Sequence, residues 1–226
     1  MTGPTSVEPL SARIHSRLRS EILAGDYAPG DALPSERRLS EELGASRHAV
    51  REALKRLQQS GLVRISQGGA TRVRDWRRHG GLELLIELGC ANDVPHGLGL
   101  ERAVMEMRAS VGADAARRCA ARANPVARAE LEARAEMLAA EDDLAVRNTI
   151  YEAFWDLVIE GADNLAYRLA LNTLVAGQRL LAFDPALVGA ELADPDAVRA
   201  LAAAIAVGDE DAAYARAREL LERSEG

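Results

Sequence analysis

Two helical patterns joined by a tight turn leave residues 34–64, PSERRLSEELGASRHAVREALKRLQQSGLVR, few ways to fold. Ser35 stands where an N-cap opens the first helix, Glu36 lies on the favourable side of its dipole, and Leu39 and Leu43 fall on one face. Gly44 stops it. Ser46 is placed to cap a second helix in which Val50, Leu54 and Leu57 form an apolar stripe, and Gly61 is its stop. Arg47, His48 and Arg51 occupy the exposed start of that helix, with Lys55 one turn on. In a helix-turn-helix only the first residues of the second helix reach base edges, so cations there suit DNA reading. An ordinary helical hairpin with a solvated charged face has the same local pattern, and context must decide.

The context is a wing. Leu62-Val63-Arg64-Ile65 and Thr71-Arg72-Val73 alternate in polarity on either side of Ser-Gln-Gly-Gly at 66–69, which predicts a β-hairpin. Residues 10–75 with this order of elements make a winged helix-turn-helix. The run LPSERRLSEELGASRHAVREALKRLQQSGLV resembles the GntR family of bacterial transcriptional regulators almost position by position. The resemblance implies DNA contacts by Arg37 at the head of one helix, by Ser46, Arg47, His48 and Arg51 on the recognition helix, and by Gln67 and Gly68 at the wing tip. His48-Ala49 stands where the family often has Thr-Pro, a departure that bears on which operator sequence is read.

Charge divides the chain in the same place. Residues 1–78 carry a balance of +5 and the remainder −12, within a total of −7, so an anionic partner belongs to the N-terminal part. The expected organisation is a disordered 1–9, a winged domain over 10–75, a linker at 76–81 and an all-helical domain over 82–226. The fold class is therefore mainly α with one small hairpin. Neither a signal peptide nor a membrane-spanning apolar run occurs, and a soluble, cytoplasmic protein with no membrane partner is expected. Cys90 and Cys119 lack metal-ligand spacing and read as small buried hydrophobes in a reducing compartment.

Leu10, Ile14, Leu18 and Ile22 mark a first helix ended by Gly25, and DYAPGDALP at 26–34 is turn chemistry. Leu82, Leu84, Leu85 and Leu88 form a later amphipathic face, followed by a long helix near 100–123. Asn124-Pro125, Asp194-Pro195 and Gly208-Asp209 are boundary signals. With them come helices near 126–140, 143–161, 164–183 and 210–224, a bundle of six or seven in all.

Trp76 with Gly81-Leu82-x-Leu84-Leu85, Asp163-Asn164 and AIAVGD at 204–209 resemble the FCD effector domain of the FadR branch. The resemblance implies a homodimer on a palindromic operator and an effector in the bundle. Many members hold a divalent metal through one Asp and three His. The matching positions here are Glu152, Asp156, Val198 and Leu220, so the nitrogen ligands are absent and neither metal nor other cofactor is expected. Loss of the metal resembles the fatty-acid regulators of the branch, which implies a long-chain acyl-CoA or another carboxylate metabolite as effector. Arg108, Asn148, Tyr151, Asn172, Gln178 and Arg179 are the candidate effector-binding residues, because a polar group facing into a bundle needs a partner. Arg108 also falls where FCD proteins often bind a carboxylate.

Two function classes fit: a ligand-responsive transcription regulator, or an acyl-CoA-handling enzyme that carries a winged helix and uses Tyr151 or Glu152 as acid or base. No GxSxG elbow, histidine-paired nucleophile or phosphate loop supports the enzyme, and no catalytic residue is assigned. For the metal the expected outcome is definite. Zinc or nickel leaves the melting temperature unchanged, and one stoichiometric metal per chain by elemental analysis would refute the assignment of positions 152, 156, 198 and 220.

Overall fold

The computed structural model describes residues 9–66, 69–89, 99–180 and 185–223, and the chain divides into two compact units, Met1–Leu98 and Gly99–Gly226. The first contains α1 (Leu10–Ala24), α2 (Glu36–Leu43), α3 (Arg47–Gln59), β1 (Val63–Arg64), β2 (Arg72–Val73), α4 (Trp76–His79) and α5 (Glu83–Gly89). Residues 1–8, expected to be disordered, lie outside the described residues.

Helical spacing aligns Ile14, Leu18 and Ile22 on α1 against Val50, Ala53, Leu54 and Leu57 on α3, all of them buried. Each of the valine, leucine and isoleucine side chains contributes roughly 1.5–3 kcal/mol on full burial. The caps act as read: Ser35 Oγ accepts from Arg38 N at 3.3 Å, and Ser46 Oγ from Ala49 N at 3.2 Å. β1 and β2 are antiparallel with Val63 opposite Val73 and Arg64 opposite Arg72, so the valines face the core and the arginines face solvent. The loop before α2 adds to this sheet, which turn chemistry alone did not indicate. Leu33 N donates to Thr71 O, and Val73 N to Asp31 O, each at 2.9 Å.

Gly61 is required twice over. Its φ of +75° lies in the left-handed region, and a Cβ there would meet His79 O at 2.6 Å. The α3–β1 turn thus lies directly on α4. Leu84 packs onto Gly80, and α5 groups with the first unit, whereas the sequence reading places the helical domain from residue 82.

The second unit holds α6 (Leu100–Arg122), α7 (Pro125–Ala140), α8 (Leu144–Gly161), α9 (Leu165–Leu180), α10 (Pro185–Leu192), α11 (Pro195–Val207) and α12 (Glu210–Glu222). Asn124, Asp143, Asp194 and Asp209 cap α7, α8, α11 and α12 through their side chains, with proline in the first turn of α7 and α11. Along α6, Ala109, Gly112, Ala113, Ala116, Cys119 and Ala120 are buried, and this small-residue stripe lets α8 and α12 approach closely. A Cβ on Gly112 would fall 2.6 Å from Leu221 Cδ1. Burial pushes the Cys119 thiol up to about 11, in keeping with a packing role; Cys90 is outside the described residues.

Arg128 on α7 ties helix ends together: it donates to Ala120 O at 2.7 Å, Ala123 O at 2.9 Å and Ala206 O at 2.9 Å. Carbonyls left open at the ends of α6 and α11 are thereby satisfied. Asp114 on α6 accepts from Tyr167 Oη at 2.5 Å and from Arg117 and Arg118, joining α6 to α9. Burial raises its pKa, but these donors together hold it down at about 2. Among the described residues no helix is long and apolar enough to cross a membrane.

His15 on α1 is buried, and its pKa is lowered to about 4 by burial first and then by Arg19 and Arg56. The neutral ring fits the fold and the charged ring does not. Its contribution to stability is therefore complete above the ordinary 6.5 and is lost as pH falls toward about 4. In a full-length Trp155→Phe variant, Trp76 is the remaining tryptophan. Its fluorescence should report a urea midpoint that drops between pH 6.5 and 4, and His15→Leu should flatten that slope. Equal slopes would refute the assignment.

Candidate functional site

Each unit brings one set of candidate residues together. In the first, capping by Ser46 fixes the start of α3, and burial of Val50, Ala53, Leu54 and Leu57 turns the opposite face outward. Arg47, His48, Arg51 and Lys55 are exposed on that face. Arg37 is exposed at the head of α2, where it pairs with Glu41 at 2.9 Å. Arg51 is held by Glu36 on α2, with Nη2 at 2.9 Å and Nε at 3.3 Å from its carboxylate oxygens. The hydrogen bond from Arg51 is the main reason the Glu36 carboxyl lies below its ordinary range. Glu36, read in sequence only as a helix-dipole residue, thus orients a recognition-helix arginine. Gln67 and Gly68, the expected wing tip, lie outside the described residues. Arg77 of the connector stacks over Trp76, 4.4 Å from the ring centroid, and Arg78 lies 3.4 Å from Asp75.

In the second unit a cavity of about 170 Å³ opens between α6, α8, α9 and α12. Its apolar lining includes Trp155, Ile159, Leu171, Val175 and Leu221; its polar lining is Arg108, Asn148, Tyr151, Glu152 and Asp156. Three of the six expected effector residues, Arg108, Asn148 and Tyr151, therefore meet at one cavity. Asn172 is exposed on α9 and is not part of the lining. The side chains of Gln178 and Arg179 lie outside the described residues.

The residue that sequence reasoning missed is Glu191, on α10. Its side chain is 0% exposed and receives Arg108 Nη1 at 2.5 Å and Nη2 at 2.7 Å, a bidentate pair. Tyr151 Oη donates to the same carboxylate at 2.5 Å. Arg108 keeps its charge: burial opposes it, but the Glu191 carboxylate outweighs burial and raises its pKa. Burial, reinforced by the negative Glu191, pushes the Tyr151 phenol well above its ordinary 10, so the hydroxyl keeps its proton and stays a hydrogen-bond donor to Glu191. The one available signal was a lone carboxylate in the otherwise apolar PALVGAEL. Trp155 Nε1 is also buried, with no acceptor in hydrogen-bonding geometry among the described residues.

The positions equivalent to metal ligands are spread by chemistry. Asp156 takes Arg168 Nη1 at 2.6 Å, Glu152 accepts from Asn148 Nδ2 at 3.3 Å, and Val198 and Leu220 are fully buried in the apolar core. Among the described residues no group of three or more His, Cys, Asp or Glu is gathered for a metal.

Comparison with known proteins assigns both units. Residues 10–73 match the bacterial regulatory proteins of the gntR family, and residues 103–223 match the FCD domain. The HTH-type transcriptional regulator Mce2R of Mycobacterium tuberculosis is 37% identical over 225 residues, covering 97% of this chain and 91% of that protein. A fatty acid metabolism regulator protein of Shewanella putrefaciens is 38% identical over 71 residues, 31% of this chain and 30% of its own. Among solved structures, a Streptococcus agalactiae GntR aligns over 95% of this chain and 98% of its own, with a TM-score of 0.48 and 20% identity.

Proposed function

Because this chain belongs to the GntR family of bacterial regulatory proteins and carries an FCD domain, we propose that it binds a palindromic operator as a homodimer and releases or grips it in response to a small carboxylate held in the FCD cavity. It is a GntR-type transcriptional regulator, and the proposal concerns what it reads and what it senses. The observation that carries the DNA side is the exposed Arg47, His48 and Arg51 on the capped first turn of α3. A single recognition helix covers few base pairs, and a dimer doubles the footprint against a genome of competing sites. On the effector side, a cavity of about 170 Å³ is close to the roughly 150 Å³ that holds benzene. That size favours a compact carboxylate metabolite over a long-chain acyl-CoA.

Alanine at Arg37, Arg47 or Arg51 should weaken operator binding at moderate salt and leave the fold intact, with losses of about 1–3 kcal/mol where a bidentate base contact is removed. Unchanged electrophoretic shifts for all three variants would overturn the interface.

Coupling between the units has its own test. An effector alters DNA affinity only by binding the DNA-competent and incompetent states unequally, and linkage makes the effect mutual. Calorimetric titration with the ligand identified by native mass spectrometry should therefore show operator DNA changing effector affinity by the factor with which effector changes operator affinity. Equal effector affinities with and without operator would show that the cavity does not control the winged unit.

A further inference from the structure

An arginine carries its N–H donors in a fixed planar fork, and Glu36 takes only one edge of the fork on Arg51. The carboxylate accepts from Nε at 3.3 Å and from Nη2 at 2.9 Å, a two-point grip reaching from the first turn of α2 across to α3. Among the described residues no acceptor takes Nη1 or the second proton of Nη2. The outer edge, formed by the two terminal nitrogens, is therefore open on a side chain that is 57% exposed. Two parallel N–H groups of this kind match guanine, whose O6 and N7 accept a bidentate arginine in the major groove. We propose that Glu36 determines specificity: by holding the side edge of Arg51 it withholds the arginine from DNA phosphates and leaves it to read a guanine. The inference rests on the reading of the α3 face as the DNA interface and adds how one of its arginines tells base from backbone.

Charge decides between the two kinds of DNA acceptor. A phosphate is an anion, so beside Arg51 it meets the Glu36 carboxylate and can enter only in exchange for it. A guanine edge is neutral and adds to the pair without displacing anything. Glu36 is negative at neutral pH, because the hydrogen bond from Arg51, the largest influence on its carboxyl, holds it below the ordinary range despite some desolvation.

Arg47 supplies the contrast within the same helix. It is exposed one turn earlier on the same face, and its field reaches Glu36, yet no carboxylate forms an ion pair with it among the described residues. Nothing there withholds it from a phosphate. Lys55 pairs with Glu52 through a single contact at 3.0 Å along its own helix, without the two-point grip that leaves one edge of a fork free. The face thus divides its labour, with Arg47 available to the backbone and Arg51 reserved for a base.

The probes are a duplex selected from a random-sequence pool by the wild-type chain and a shuffled duplex of the same composition. Each is titrated with the full chain by fluorescence anisotropy over a range of potassium chloride. Every phosphate neutralised steepens log K against log salt by about 0.9. Glu36→Gln preserves the side-chain shape and should steepen the shuffled-duplex slope by about 0.9 for each chain bound. At about 0.1 M salt it should also lower the ratio of selected to shuffled affinity roughly fivefold. Arg47→Gln should make the slope shallower by about the same amount. In Glu36→Gln/Arg51→Gln the steepening should vanish, because no arginine is left to be released. An unchanged slope in Glu36→Gln, or a steepening that survives the loss of Arg51, would overturn the proposal. A second measurement tests the base. Replacing the guanines of the selected duplex one at a time by 7-deazaguanine, which lacks the N7 acceptor, should reveal a position that weakens the wild type and not Arg51→Gln; finding none would overturn it. Should Arg51→Gln bind the selected duplex like the wild type, the reading of the α3 face fails and the proposal with it. Should it bind that duplex more weakly while Glu36→Gln behaves as the wild type, the proposal alone fails.

Discussion

The helical unit is organised around one buried ion pair. Arg108 and Glu191 lie 83 positions apart in sequence on two helices, and the Tyr151 hydroxyl closes the set from a third. Burying two charges costs several kcal/mol per ion, offset only when geometry is good and the remaining hydrogen-bonding capacity is used. Here the pairing is bidentate and the carboxylate takes a further hydroxyl, so α6, α8 and α10 are brought to one register. Removing a single partner from such a pair costs roughly 3–5 kcal/mol, a large share of the 5–15 kcal/mol that holds a typical domain together. Apolar packing along the alanine stripe of α6 brings the helices close; the ion pair fixes where α10 attaches.

The winged unit uses charge in the opposite way. Arg37–Glu41, Arg38–Glu42, Arg51–Glu36 and Lys55–Glu52 are all exposed pairs. In water such pairs add little to stability and are readily exchanged for other anions. What they supply is orientation: Glu36 holds the Arg51 fork across the α2–α3 angle before any phosphate or base arrives. Buried and exposed carboxylates thus serve different ends in one chain, the first specifying a packing arrangement and the second holding a surface cation in reach of a partner.

What the sequence revealed was local. Caps at Ser35, Ser46, Asn124, Asp194 and Asp209 and the apolar spacing of α1 to α3 are set by neighbours within a turn or two, and the helices follow them closely. The family resemblance extended this to both domains. Tertiary pairings were harder to read. Nothing in DYAPGDALP announces that its backbone pairs with β2, since that match depends on where the chain returns some forty residues later. PALVGAEL is too short and too uniformly apolar to show a helical face, so nothing in it marks α10 or singles out Glu191. Arg108 is legible because a polar group inside a bundle needs a partner, but that partner lies in the stretch with no pattern. Asn172 shows the converse: a helical position alone does not say which side faces in.

The packing of α12 against α6 has a consequence for synthesis. The small-residue stripe of α6 is covered by α12 only after five intervening helices have been made. Until then its alanines, Gly112 and Cys119 have no cover from that side, and contacts between segments so far apart in sequence form slowly. The winged unit closes over much shorter separations, within its first ninety residues. On the ribosome the winged unit can therefore fold while the FCD unit is still an open set of helices. The emerging chain passes through a stage at which its helix-turn-helix has all its elements while the cavity between α6, α8, α9 and α12 still lacks a wall.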